Sequence, residues 1–196
     1  MSDSQRLAAV LTAIDECNRQ DPTLEIWEGA SYPKALLYGQ RMSAALDDFA
    51  PAASEELKIA ARAQHIERWR IPRSDYPMDR SGYLTWRRTL GKFHADRTCQ
   101  LMETAGYDPT SQAVVQQLLT KQGLKQNPQT QTLEDVICLV FVQFYLTDFA
   151  TTQDTEKLLS IIKKTWAKMS PQGQQKLLSL PLNLALKSTL ELALAS

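Results

Sequence analysis

At 196 residues, with 43% apolar and 22% charged side chains, the chain has the length and composition of one globular domain with a real core, which excludes wholesale disorder. Lysine plus arginine matches aspartate plus glutamate at 22 each, so attraction to nucleic acid or membrane through net charge alone is excluded. The balance conceals an asymmetry, because residues 62–97 hold nine basic groups against four acidic ones and leave the remainder acidic by the same margin.

Helical periodicity dominates the chain. Leu7, Val10, Leu11 and Ile14 form one stripe, predicting a first helix from Ser4 to about Asn18. RQDPTLEIWEGASYP reads as a loop, broken by Asp21-Pro22, Gly29 and Pro33. A second helix follows Pro33, turns Leu37, Met42, Leu46 and Phe49 inward, and stops at Pro51. Ser54 is a candidate N-cap with Glu55 and Glu56 in the first turn, and the helix it opens is expected to reach about Arg70 and to carry His65. Pro72 and Pro77 hold Ile71 and Tyr76 extended, which breaks IPRSDYPMDRSG out of any helix.

Ser81 can cap a long helix to about Ala105 that carries His94, and Asp108-Pro109 opens the next. Gly123 and Asn127-Pro128 end that segment. TLED at 132–135 has capping-box character and opens the very apolar VICLVFVQFYLTDFA. A helix over about 154–168, another from Ser170-Pro171 and a leucine-rich tail helix after Pro181 complete the chain. No segment alternates with period two, so no sheet is expected. The expected fold is all-α, a single domain over 1–196 with eight or nine helices packed around the helix 132–150.

Cys17, Cys99 and Cys138 are odd in number and widely spaced, which points to reduced thiols. The start MSDSQRLAAV lacks the basic and apolar pattern of a signal peptide, and VICLVFV is too short to span a bilayer, so a soluble cytoplasmic protein is expected.

Both histidines and eight of the eleven arginines fall between Arg62 and Arg97. His65 and His94 stand on two helices joined by a short connector, so their imidazoles can converge on a divalent transition metal (zinc, iron or manganese). A histidine and a residue two positions later on one helix diverge by about 200°, so a carboxylate ligand is better sought at Glu134 or Asp135. Glu67 is the candidate general base. Arg68, Arg73, Arg80 and Arg87 offer planar, permanently charged forks for phosphate, and Trp69, Tyr76, Tyr83 and Trp86 interleave with them as stacking surfaces.

Three functions follow from these residues. One is a metal-dependent phosphohydrolase of a small phosphorylated or nucleotide-like substrate; another is a non-catalytic binder of RNA or a nucleotide that uses the same arginines. A docking face for another protein is the third. No GxSxG elbow, Walker loop or GxGxxG fingerprint is present, and Arg62 and Gly91 occupy the positions where a di-iron ExxH pair needs glutamate. Lys-Met-Ser in AKMSPQG resembles part of a class I synthetase signature, but the chain has neither a HIGH-type motif nor a strand to carry it, which excludes an aminoacyl-tRNA synthetase.

LLYGQRMSAAL, AARAQHIERWRIPRSDYPMDRSGYLTWRRTLGKFHAD, LEDVICLVFVQFYLTDFA and KTWAKMS resemble a bacterial and fungal family of domains of unknown function (number 4202), over about residues 5–180. Some of its members carry the label glutamyl-tRNA synthetase. ELKIAARAQHIERW is also distantly similar to the helix of HD-domain phosphohydrolases that bears their His-Asp pair, which implies an all-α, HD-like fold and a metal centre. In that likeness His65 takes the histidine place and Ile66 the aspartate place, His94 would act as a further ligand, and Asp135 or Asp148 would stand for the terminal aspartate.

Overall fold

The computed structural model describes residues 2–195 and is mainly helical. Ten α-helices and one two-stranded hairpin lie among the described residues, in two compact units, Met1–Gly123 and Leu124–Ser196. None of these helices is long and apolar enough to cross a membrane.

Unit 1 contains α1 (Asp3–Asn18), β1 (Leu24–Trp27), β2 (Ala30–Pro33), α2 (Lys34–Phe49), α3 (Glu55–Arg62), α4 (Arg80–Thr104) and α5 (Pro109–Leu119). Local chemistry sets most of the starts. The Ser54 hydroxyl accepts from Leu57 N at 3.2 Å, and the carboxylate of Asp108, with Pro109 next to it, accepts from Ser111 N at 2.9 Å. The cap of α4 is Asp79, which accepts from Gly82 N at 2.7 Å, two residues ahead of the Ser81 expected from sequence. Val10, Ile14, Met42, Leu46, Ile59, Ile66, Met102 and Leu118 are fully buried and form the core of the unit. A bidentate ion pair from Arg62 to Asp15, at 2.7 and 2.6 Å, ties α3 to α1.

The segment expected as a loop contains the hairpin. Glu28 and Gly29 both have positive φ (50° and 79°), the conformation of a two-residue type I′ turn, and Leu24 pairs with Pro33 and Trp27 with Ala30 across it. The turn dipeptide is Glu-Gly rather than the usual Asn-Gly or Asp-Gly. Leu24 and Ile26 remain exposed, so the usual sign of a half-buried strand is missing. The opposite face is anchored by Arg41, which pairs with Glu25 and lies 4.5 Å from the Trp27 ring centre.

The helix expected to reach Arg70 stops at Arg62. A continuing helix would give the Glu67 N–H to the carbonyl of Ala63, but Asn18 Oδ1 takes it at 2.9 Å. Glu67 then adopts a left-handed conformation (φ 47°, ψ 32°) that redirects the chain, and two short 3₁₀ turns, Arg68–Arg70 and Arg73–Asp75, lead into α4.

Unit 2 contains α6 (Pro128–Val140), α7 (Leu146–Ala150), α8 (Thr155–Lys168), α9 (Pro171–Leu178) and α10 (Leu184–Ala195). The cap of α6 is Asn127, accepting from Gln129 N at 2.9 Å, so TLED lies inside the helix and not at its start. A π-helical turn, Phe141–Tyr145, separates α6 from α7. Burial is concentrated in α6, while Gln143, Thr147 and Asp148 are exposed, so the apolar rod 132–150 is buried over only part of its length.

Candidate anion-binding site

The early end of α3 places His65 in the turn that follows it, not on a helix. Its ring stacks on Tyr38 of α2, with centroids 3.7 Å apart and planes at 16°. His94, midway along α4, is 2% exposed. The two imidazoles are neighbours, with centroids 6.2 Å apart. Thus the pairing of histidines expected from the sequence is present within unit 1. His94 Nε2 is buried and has no hydrogen-bond partner. A buried polar atom left in that state costs about 1–3 kcal/mol.

The surroundings of this pair are cationic. Arg68 is half-buried, its guanidinium carbon 4.7 Å from the centre of the Trp86 ring. Arg87 is exposed on α4, seven residues before His94 and therefore on the same stripe of that helix. Burial, then Arg68, and then His94, Arg87 and Lys121, hold the His65 imidazole well below the usual histidine range. Burial, followed by Arg68 and Arg87, lowers His94 to about 3. Burial and Arg87 bring Arg68 down to about 10, which leaves it charged at neutral pH. Burial first, and the neighbouring guanidinium groups after it, thus keep both imidazoles neutral in cationic surroundings.

The remaining candidates have other duties. Glu67 is 5% exposed and accepts from Arg97 Nε at 2.8 Å and from Arg70 Nη1 at 3.2 Å, so its carboxylate is engaged in a clamp between the turn and α4. Arg73 donates to the carbonyls of Tyr76 at 2.9 Å, Pro77 at 2.6 Å and Asp79 at 3.3 Å, and so braces the proline loop. Arg80 is the exposed first residue of α4. Glu134 and Asp135 belong to unit 2. Glu134 is buried, 3.9 Å from Lys168 Nζ. The Asp135 carboxylate accepts from Ser170 N at 2.8 Å, from Ser170 Oγ at 2.5 Å and from Gln131 Nε2 at 3.1 Å. Ser170 in turn caps α9 with Pro171 behind it, which is the structural role of the Lys-Met-Ser string.

The fit to a metal is poor. Among the described residues no group of three or more His, Cys, Asp or Glu side chains could hold an ion. Ile66, in the position that an HD site gives to aspartate, is fully buried core. Tyr38 and Lys121 join the cluster without any sequence signal, since one depends on which face of α2 turns toward His65 and the other on where the turn after α5 comes to lie.

Fold and cluster together describe a mainly helical protein whose N-terminal unit holds a neutral histidine pair under a guanidinium and aromatic rim. The chain belongs to the family described as a domain of unknown function, DUF4202, whose model matches residues 8–190. No curated protein and no solved structure matches the chain.

Proposed function

We propose that unit 1 binds a small phosphorylated anion without a resident metal, through Arg68 and Arg87 with the His65 and His94 imidazoles as neutral partners. The observation that carries this reading is the buried His94 Nε2 without a protein partner, on a ring whose charged neighbours are Arg68 and Arg87. A phosphate oxygen supplies an acceptor for an Nε2–H, and Arg68 and Arg87, whose charges bear on that ring, favour the anion. The metal-dependent phosphohydrolase has less support, because both imidazoles lack the carboxylate or further histidine that would complete an ion's ligand set.

Calorimetric titration with inorganic pyrophosphate tests the reading. Wild-type protein should bind it, with affinity falling as salt rises, and Arg87→Ala should weaken it about tenfold or more, the usual scale for a charge-assisted contact. Elemental analysis runs beside it. About one equivalent of a transition metal, lost in His65→Ala, would replace this reading with the hydrolase.

A further inference from the structure

We propose that the anion at this cluster is the phosphate chain of a nucleotide and that its base stacks on Tyr83, an inference that rests on the anion-binding reading above. Two aromatic side chains of α4 stand at the rim, and only one is open. Trp86 is 8% exposed, with Arg68 at 4.7 Å and Arg73 at 5.9 Å from its ring centre and Tyr83 tilted against it at 5.9 Å. Its surface is already used. Tyr83 is 45% exposed, and its phenol lies close enough to Arg68 to bear on that guanidinium. Met78 on the proline loop and Leu84 on α4 are also exposed apolar side chains, at 80% and 49%.

The order along the helix favours a nucleotide. Tyr83, Arg87 and His94 are spaced by four and seven residues on one stripe, so ring, guanidinium and imidazole succeed one another over about 16 Å of helix rise. A nucleotide presents base, ribose and phosphates in that same sequence. Free phosphate or a small carboxylate would leave the aromatic end of the stripe unused. A nucleoside diphosphate carries an aromatic base and a phosphate chain in one ligand.

Titration of the full chain with ADP and with inorganic pyrophosphate separates the two claims. ADP should bind about tenfold tighter than pyrophosphate, the scale of one base stacked on an aromatic ring. Tyr83→Ala should erase that advantage, lowering ADP affinity about tenfold more than pyrophosphate affinity; Tyr83→Phe should keep it; Arg87→Ala should weaken both ligands. Equal affinities for ADP and pyrophosphate in the wild type would overturn the nucleotide assignment and leave anion binding standing. Failure to bind either would overturn both. Tight binding of a single-stranded RNA oligomer with ADP ignored would also overturn it, in favour of an RNA-binding surface.

Discussion

Lowering the pH from 7.5 to 5 should destabilise this protein through His94 well before its carboxylates titrate. An unfolded histidine takes up its proton near pH 6.5, whereas burial, Arg68 and Arg87 hold His94 neutral in the folded chain down to about 3. For a base whose folded pKa is depressed, the contribution is fully present above the unfolded value and is lost as pH falls toward the folded one. At pH 5 the unfolded state is 1.5 units below its pKa and the folded state is still neutral, which amounts to roughly 2 kcal/mol at 1.36 kcal/mol per unit. His65 is shifted in the same direction and adds to the loss. Urea denaturation at pH 7.5, 6.5, 5.5 and 5 measures it, with His94→Gln alongside. The glutamine variant carries no titrating group at this place, so its stability should fall by about 2 kcal/mol less over the same range, whatever its absolute value. Parallel pH profiles for the two proteins would refute the reasoning.

Other outcomes test the packing around the site. Gly82→Ala should cost about 1–3 kcal/mol by thermal or chemical denaturation, because a Cβ there would lie 2.1 Å from the Pro77 carbonyl oxygen. Asn18→Leu should cost about 1–3 kcal/mol, since it strands the buried Glu67 N–H that now donates to the side-chain oxygen. Gly173→Ala places a Cβ 2.6 Å from Asp135 Cγ and should lower the melting temperature of unit 2 while leaving pyrophosphate titration unchanged. Arg73→Lys should loosen the proline loop, seen as faster amide exchange at Tyr76, Met78 and Asp79, because lysine has no planar fork to span three carbonyls.

The left-handed Glu67 links these effects. It is the point at which a chain that could have continued as helix is turned aside, and it is held there by groups from two other helices, Asn18 on α1 and Arg97 on α4. His65 and Arg68 flank it, one on each side. The placing of His65 and Arg68 therefore depends on a residue whose own carboxylate is engaged by Arg97 and Arg70.

What the sequence determined by itself were the helix starts whose caps are local: Ser54, Asp108 with Pro109, and Ser170 with Pro171 all satisfy amides two or three residues away. The gathering of arginines and histidines in residues 62–97 was equally plain. Only the tertiary structure decided where α3 ends, because its competitor for the Glu67 amide stands 49 residues earlier in the chain. It also decided which guanidinium groups are engaged within the chain: Arg62 and Arg73 are taken by Asp15 and by loop carbonyls, while Arg68 lies over the Trp86 ring and Arg87 is exposed on α4. A guanidinium's partner is set by distance in space, and nothing in the spacing of residues along the chain encodes that distance before the helices pack.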